Sequence, residues 1–225
     1  MGRVFLFDID NTLLYTGGAG SDAMNEAFRE LFGVEDGFAR VEFSGRTDLD
    51  ILARGLVQHG IAGGPERHLE AFASRYYALL PRWLQRRPGR LMPGFPQLLE
   101  ALAEEPGVRL GLATGNFSQS ARIKLQYYGI DRYFGGGGFG EDSVDRAQVV
   151  GAAIARVADG ARPEEIFVIG DTPHDVSSAL ENGVVGVGVA TGSYTVGQLQ
   201  ESGAQLTFPN FSDWRTAASA LLGRN

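Results

Sequence analysis

The sequence of 225 residues contains no cysteine, which excludes disulfides, thiolate zinc sites and cysteine nucleophiles. Its three histidines, His59, His68 and His174, are too few and too scattered to indicate a histidine metal site. Acidic residues outnumber basic ones and give a net charge of −7. A general nucleic-acid-binding protein needs a basic face to displace counterions from phosphates, so we expect no nucleic-acid partner.

Long apolar runs are also missing from the chain. No run approaches the roughly 20 residues needed to span a bilayer, and the N-terminus enters an apolar segment without a signal-like region. We therefore expect a cytoplasmic protein with no membrane partner. The 44% hydrophobic and 21% charged content is ordinary for a globular protein, and the length suits one large domain or a domain with an insertion.

Short apolar runs alternate with amphipathic segments through most of the chain. The predicted strands are Val4–Ile9, Val108–Ala113, Ile166–Gly170, Val184–Val189 and Leu206–Phe208. The predicted helices that accompany them are Leu98–Leu102, Gln119–Tyr128, Arg146–Ala158, Asp175–Asn182 and Ser212–Leu222. Strands separated by helices indicate an α/β fold, with a Rossmann-like parallel sheet covered by helices on both faces.

This alternation stops between the first and second strands. The intervening region contains no convincing strand and predicts three helices, at Ser21–Phe32, Leu49–His59 and Glu66–Gln85. We interpret residues 17–88 as an inserted helical domain and residues 1–16 with 89–225 as the α/β core. Farther along the chain, we expect the glycine run 135–138 to be a mobile loop.

Two aspartates one residue apart follow the first predicted strand. In extended backbone, residues i and i+2 point to the same side, so Asp8 and Asp10 could share a site. Crowded carboxylates repel each other, a cost that is tolerable where a cation or proton chemistry uses them. The alternative is that these residues only cap a turn at the strand end.

Polar residues also follow the later predicted strands. The run Thr114-Gly115-Asn116 follows the second strand, Asp171 and Asp175 follow the strand Ile166–Gly170, and Arg146 opens a helix. Ligands on open α/β sheets bind beyond the carboxyl ends of the strands. Carboxylates suit Mg²⁺, whereas an arginine and a Thr-Gly-Asn run can neutralise and hydrogen-bond phosphate oxygens. The combination predicts phosphoryl transfer with Mg²⁺ as cofactor.

These motifs resemble those of the haloacid-dehalogenase superfamily. They are Asp-x-Asp-x-Thr at positions 8–12, Thr-Gly-Asn at 114–116, a basic residue, and Gly-Asp-x-x-x-Asp at 170–175. The helical insertion after the first strand resembles the cap of the phosphoglycolate-phosphatase and β-phosphoglucomutase-like branch. The resemblance implies a Mg²⁺-dependent phosphatase that acts on a small phosphomonoester, such as phosphoglycolate, through an aspartyl-phosphate.

The resemblance also implies a role for each residue. Asp8 would be the nucleophile and a metal ligand. Asp10 would transfer protons through its side chain and bind Mg²⁺ through its backbone carbonyl. Asp171 would supply a second carboxylate ligand, and Asp175 would bind through water or orient the other ligands. The phosphate would be held by the run Thr114-Gly115-Asn116.

The third motif departs from the pattern of the superfamily, which usually places a lysine there. Residues 141–146 contain no lysine, and we interpret Arg146 as the substitute because arginine supplies the charge and a fork suited to phosphate. Lys124 is the alternative. It lies within a predicted amphipathic helix, where we expect a solvent-exposed side chain.

Asp10 argues against dehalogenation, because a halide leaves without a proton whereas an alkoxide needs one. Two alternatives to a phosphatase stay open. One is a β-phosphoglucomutase-like phosphomutase, which would use the same core residues. The other is a protein that binds a phosphorylated ligand without hydrolysing it. The chain is expected to be a monomer or a homodimer.

Within the inserted helical region, Arg46 precedes the second helix and is expected to bind an anionic group of the substrate. Thr47 or Asp48 would cap that helix, with Asp48 the preferred candidate. We expect His174 to face solvent. An aromatic stripe at helical spacing is expected to form the core of the insertion; its members are Phe72, Tyr76, Tyr77 and Trp83.

Overall fold

The computed structural model describes residues 2–224 and has a six-stranded parallel sheet at its centre. In chain order the strands are β1 (Val4–Phe7), β2 (Leu14–Tyr15), β3 (Arg90–Leu91), β4 (Arg109–Ala113), β5 (Gly137–Gly138), β6 (Ile166–Gly170), β7 (Val185–Val189) and β8 (Leu206–Phe208). The large sheet has the order β5-β4-β1-β6-β7-β8, and β2 and β3 form a separate antiparallel pair. The predicted α/β fold is confirmed.

Helices flank the sheet and fill the region between its first two strands in sequence. In chain order they are α1 (Ala19–Phe32), α2 (Asp48–Gln58), α3 (Gly64–Arg86), α4 (Gln97–Ala103), α5 (Ser118–Tyr127), α6 (Arg146–Val157), α7 (Pro173–Glu181), α8 (Val196–Glu201) and α9 (Trp214–Leu221). Two 3₁₀ turns, at Asp131–Tyr133 and Pro163–Glu165, complete the described elements.

The central strand β1 has apolar side chains on both faces of the sheet, so helices must pack against both faces. Alternate residues of a strand point to opposite faces, and here every residue is apolar and buried. Phe5 and Phe7 belong to the core on one face, together with residues of α4, α5 and α9. Val4 and Leu6 belong to the core on the other face, which α6 and α7 cover.

Residues 17–88, called the helical segment below, contain α1, α2 and α3. These helices enclose a second apolar core in which Phe28, Phe72 and Tyr76 are fully buried. Tyr77 and Trp83 pack against this core, so the aromatic stripe lies where the sequence predicted. Phe117, which precedes α5, is part of the same core, so the helical segment packs against the sheet-bearing part. The division of the chain into two domains stays a prediction.

The glycine run 135–138 was predicted to be a mobile loop, and for its second half this is wrong. Gly137 and Gly138 form the edge strand β5, which pairs with β4. A Cβ at Gly137 would lie 2.4 Å from the Leu112 carbonyl oxygen, and one at Gly138 would lie 1.9 Å from that of Val149. Glycine is therefore required by the close approach of β5 to its neighbours. The pair β2–β3 and helix α8 were not predicted.

Among residues 2–224, no helix is both long and apolar enough to cross a membrane.

Candidate active site

Residues after three adjacent strands meet at one edge of the sheet. Asp8 follows β1, the Thr-Gly-Asn run follows β4, and Asp171 follows β6, which are neighbours in the sheet order. A cavity of about 390 Å³ lies over this edge. Residues with charged or amide side chains that line it are Asp8, Asp10, Asn11, Arg46, Asp48, Asn116, Lys124, Arg146, Asp171 and Asp175. All predicted site residues except Thr114 line this cavity, so the parallel topology brings together residues that are far apart in sequence.

Arg146 connects two carboxylates of this cluster. It is the first residue of α6, which the Asp145 side chain caps by accepting the Ala147 N–H. Its Nη2 donates to Asp8 Oδ1 and to Asp175 Oδ1, both at 2.7 Å. Burial alone would lower the pKa of Arg146, but attraction from Asp175 and Asp8 outweighs that effect and raises it. Arg146 is thus a buried, permanently charged group beside Asp8.

Three carboxylates crowd around this guanidinium. Oxygens of Asp8, Asp171 and Asp175 lie within 4.8 Å of one another. Burial is the main cause that raises the pKa of Asp8 to about 6. Attraction to Arg146 opposes this rise, and repulsion from Asp175 adds to it. Burial and repulsion from Asp175 and Asp8 raise the pKa of Asp171 to about 8. One guanidinium does not balance three carboxylates, so the donor set fits a hard divalent cation such as Mg²⁺.

Asp175 is held in place by the start of α7. Its Oδ2 accepts hydrogen bonds from the backbone N–H and the hydroxyl of Thr172, at 3.1 and 2.8 Å. Thr172 in turn caps the helix by accepting the Asp175 N–H, which completes a capping box. A Cβ at Gly170 would lie 2.2 Å from Asp175 Cγ, which explains the glycine that begins this motif. Asp175 therefore has one oxygen fixed by the helix and one bound to Arg146.

Asp171 occupies an equally confined position. The Thr12 hydroxyl donates to Asp171 Oδ1 at 3.4 Å, linking the first motif to the last. A Cβ at Gly192 would lie 1.8 Å from Asp171 Oδ2, so only glycine leaves room for this carboxylate. Gly192 was not predicted as a site residue, because nothing in the sequence around residue 192 indicates that a distant carboxylate approaches it.

The Thr-Gly-Asn run forms a compact hydrogen-bonded turn after β4. The Asn116 side-chain amide donates to Thr114 Oγ1 and to Asp10 Oδ2, both at 2.8 Å. A Cβ at Gly115 would lie 2.0 Å from the Arg46 carbonyl oxygen, so the helical segment covers this turn closely. Thr114 is fully buried beneath it. The run therefore links the candidate phosphate site to Asp10.

The expectation of a solvent-exposed Lys124 is wrong. Lys124 lies in α5 and is only 3% exposed. Its Nζ donates to Asp10 Oδ1 and Oδ2, at 2.9 and 2.6 Å, and to Asn116 Oδ1 at 2.5 Å. Burial of the ammonium is tolerated because all three of its N–H groups have acceptors. One signal in the sequence pointed here: Lys124 is the only lysine in a chain with 19 arginines.

Arg46 also lines the cavity and belongs to the helical segment. Its Nη1 donates to Asp50 at 2.9 Å. The Nε groups of Arg46 and Arg146 are buried and have no acceptor among residues 2–224. Buried N–H groups are rarely left unpaired, so both guanidiniums retain donors that an oxyanion in the cavity could use.

Thr47, and not Asp48, caps α2: its hydroxyl accepts the Asp50 N–H at 3.2 Å. The Asp48 N–H donates to the Gly115 carbonyl at 2.7 Å, and Asp48 Oδ2 accepts the Phe117 N–H at 2.8 Å. Burial raises the pKa of Asp48 to about 6, although Lys124 and the Phe117 N–H oppose the shift. Asp48 therefore joins the helical segment to the turn after β4.

His174 is exposed, as the sequence predicted. It also packs against the helical segment, because a Cβ at Gly45 would lie 2.3 Å from His174 Cδ2. Glycine is favoured at position 45 for two reasons. His174 leaves no room for a Cβ, and the φ of 71° is a backbone conformation that other residues rarely adopt.

Comparison with protein-family models matches residues 3–183 to the haloacid dehalogenase-like hydrolases. The chain belongs to this family. The match extends from before Asp8 to beyond Asp175, so it includes every predicted site residue. The resemblance inferred from the motifs is therefore confirmed.

Two relatives match this hydrolase over nearly its whole length. Probable phosphatase IndB of Dickeya dadantii is 29% identical, over 99% of this chain and 96% of its own. A phosphoglycolate phosphatase of Rhodospirillum rubrum is 26% identical, over 95% of this chain and 91% of its own. A crystal structure of a hydrolase from Pseudomonas syringae superposes with a TM-score of 0.73 at 23% identity, covering 97% of this chain and 98% of that one.

Proposed function

We propose that this hydrolase is a Mg²⁺-dependent phosphatase of small phosphomonoesters. One observation carries the proposal: Arg146 lies between Asp8 and Asp175, in a buried carboxylate cluster that opens onto a cavity. Nucleophilic attack by a carboxylate on an uncharged substrate would not need a cation beside the carboxylate. Transfer of a phosphoryl group does need this cation, because the negative charge of the group must be neutralised while a carboxylate attacks it.

In the first step, an Asp8 oxygen attacks phosphorus while the ester P–O bond breaks. The leaving oxygen takes a proton from the Asp10 carboxyl group, so an alcohol departs and Asp8 carries the phosphoryl group. In the second step, Asp10 takes a proton from water, the water oxygen bonds to phosphorus and the Asp8–phosphorus bond breaks. Inorganic phosphate leaves, and both aspartates return to their starting states.

Mg²⁺ would be held by the side chains of Asp8 and Asp171 and by the Asp10 carbonyl, with Asp175 orienting this set. The bound ion would neutralise phosphate oxygens and keep the transferring group close to Asp8. The crowded carboxylates support this assignment, because burial and repulsion from Asp175 and Asp8 together raise the pKa of Asp171 to about 8, and a bound cation would relieve both effects. Oxygen ligands of this kind match the preferences of Mg²⁺.

The remaining phosphate oxygens would bind to the turn after β4 and to Arg146. Thr114 Oγ1 already accepts the Asn116 amide, so its own proton is available to an oxyanion. The Asn116 N–H, which donates to Thr114 Oγ1 at 3.3 Å, and the Nε of Arg146, which has no acceptor among residues 2–224, would be further donors, together with the Gly115 backbone. Arg146 would thus take the place of the third-motif lysine, touching both the nucleophile and the phosphate.

We further propose that the helical segment acts as a cap domain over a core of residues 1–16 and 89–225. Arg46 and Asp48 touch the turn that carries Gly115, so cap and phosphate site meet directly. Arg46 would bind a second anionic or polar group of the substrate. The relative named as a phosphoglycolate phosphatase supports a substrate of this kind, in which a carboxylate accompanies the phosphate.

Assay of a panel of phosphate esters with Mg²⁺, reading kcat/KM for each, tests the proposal. We expect phosphate release from at least one small ester and its collapse in Asp8→Asn. Mass spectrometry with beryllium fluoride and Mg²⁺ should detect an adduct on wild-type Asp8 and none on Asp8→Asn. A folded protein that binds esters but releases no phosphate would instead be a binding protein.

The same assay separates a phosphatase from a phosphomutase. p-Nitrophenyl phosphate and β-glucose 1-phosphate are supplied in parallel, and free phosphate and glucose 6-phosphate are measured. Steady release of phosphate supports hydrolysis. Accumulation of glucose 6-phosphate without free phosphate would contradict it.

A further inference from the structure

Lys124 has no part in the mechanism described so far, although it is the only lysine of the chain and is buried at the site. An ammonium group has three N–H donors. Here they face three acceptor atoms, the two carboxylate oxygens of Asp10 and Oδ1 of Asn116. The side chain of Lys124 is 4% exposed, whereas that of Asp10 is 40% exposed. The buried lysine therefore anchors an aspartate that faces the cavity.

The contacts distinguish the two oxygens of Asp10. Oδ2 accepts from Lys124 at 2.6 Å and from the Asn116 amide at 2.8 Å, which occupies both of its lone pairs. Oδ1 accepts only from Lys124, at 2.9 Å, among the contacts of the described residues. One lone pair of Oδ1 therefore remains for a proton that moves to or from a group in the cavity.

We propose that Lys124 is a positioning residue that, together with Asn116, fixes the Asp10 carboxylate so that its Oδ1 exchanges the proton of the reaction. The inference rests on the proposed phosphatase function and extends it to a residue outside the motifs. Proton transfer depends steeply on alignment, and a carboxylate held at both oxygens cannot rotate away from the reacting group.

The surroundings explain why a lysine is used here and an arginine is not. A Cβ at Gly20, in α1, would lie 3.4 Å from Lys124 Nζ and 3.6 Å from the Tyr76 hydroxyl. Two helices of the helical segment therefore close over the ammonium. A planar guanidinium is wider, so we expect an arginine here to lose its bonds to Asp10 or Asn116.

p-Nitrophenyl phosphate separates the two steps in which Asp10 takes part. p-Nitrophenolate leaves without a proton, so phosphorylation of Asp8 does not need Asp10, whereas hydrolysis of the aspartyl-phosphate does. In Lys124→Met we expect kcat to fall by roughly 10- to 100-fold while kcat/KM stays within about threefold. Stopped-flow measurement should show a burst of about one p-nitrophenol per active site. With an alkyl phosphate, kcat and kcat/KM should fall together.

Matched variants exclude a merely structural effect. Arg122→Met changes an exposed cation on the same helix and should leave both constants unchanged. Lys124→Met combined with Asp10→Asn should be no slower than Asp10→Asn alone, because the lysine acts through that aspartate. An equal loss of kcat and kcat/KM with p-nitrophenyl phosphate, without a burst, would overturn the proposal, as would unchanged kinetics.

Nuclear magnetic resonance of protein labelled with ¹⁵N-lysine gives a readout that does not depend on turnover. The chain should show one side-chain ammonium resonance, protected from exchange in the wild type and shifted in Asp10→Asn. A rapidly exchanging ammonium would overturn the proposed pairing. If the wild type hydrolyses no ester, the phosphatase function fails, and with it the role of Lys124 in catalysis. A protected resonance would still show that the pair exists.

Discussion

Two buried cations flank the active site, and each approaches a different aspartate of the first motif. Arg146, at the start of α6, binds Asp8 and Asp175. Lys124, within α5, binds Asp10 and the Asn116 side chain. Asp8 is the proposed nucleophile and Asp10 the proposed proton donor, so each cation binds the aspartate of a different proposed role.

The charge around the two cations differs. Arg146 faces Asp8 and Asp175 with Asp171 close by, so three carboxylates share one guanidinium. Lys124 is paired with the single carboxylate of Asp10. A divalent cation and a phosphate therefore suit the Arg146 side, whereas the charges of Lys124 and Asp10 balance each other, and this ion pair fixes the Asp10 carboxylate in place. The two basic residues are not interchangeable.

Removal of Arg146 should have the largest effect. In Arg146→Ala we expect kcat/KM to fall about 10³-fold, because the phosphate loses its cation and three buried carboxylates lose theirs. Steady-state kinetics on the best ester measures the loss. Arg156→Ala, which removes an exposed arginine of the same helix, is the matched control and should stay near the wild-type rate. A loss of less than tenfold in Arg146→Ala would mean that another residue fills the third-motif role.

The same two residues show how far the sequence could be interpreted. Arg146 was identifiable because it follows the strand-end motifs in an expected order. Lys124 was not, because its helical pattern is local whereas its main partner, Asp10, lies 114 residues away in the chain. β5 was missed for a similar reason. Its two glycines have low strand propensity and form a strand only because Leu112 and Val149 approach so closely.

A third buried charge, Asp48, lies near Lys124 and makes stability depend on pH. Its pKa is about 6 in the folded protein against an ordinary 3.8. A carboxyl group with a raised pKa stabilises the fold when protonated, so its contribution is lost as pH rises from about 4 to 6. Relative to Asp48→Asn, the wild type should lose about 2 kcal/mol of unfolding free energy across that range. Urea denaturation at each pH measures it.

Asp142 provides a control of opposite sign. Its pKa is lowered by a hydrogen bond from Arg156, so its contribution is present above pH 3.8 and is lost as pH falls further. The difference between the wild type and Asp142→Asn should therefore shrink towards low pH. A wild type and Asp48→Asn whose stabilities run parallel between pH 4 and 6 would contradict the assignment for Asp48.

Replacing Arg146 by lysine and Lys124 by arginine tests whether the two basic residues have different roles. Arg146→Lys keeps the charge but shortens the reach to Asp8 and Asp175, and Lys124→Arg adds a fork where Gly20 and Tyr76 leave little room. We expect each variant to lose roughly 10- to 100-fold in kcat. Crystal structures of both would show whether the bonds to Asp8 and Asp10 are broken. Wild-type rates in either variant would mean that charge alone matters at that position.

Mg²⁺ should produce the smallest effect, and it should distinguish the two sides of the site. Binding to the carboxylates near Arg146 stabilises the fold by about 1.4 kcal/mol when Mg²⁺ is tenfold above its dissociation constant, which raises Tm by roughly 3 to 5 °C. Calorimetry should show this rise in the wild type and in Lys124→Met but not in Asp171→Asn.

The rise in Tm should also grow between pH 6 and 8. The pKa of Asp171 is about 8 without metal, so below that pH a proton must leave before the carboxylate can bind the ion. Above pH 8 the competition ends and the effect should level off. An equal shift at all pH values, or one that persists in Asp171→Asn, would mean that Mg²⁺ binds elsewhere. Loss of the shift in Lys124→Met would mean that the two sides of the site are not independent.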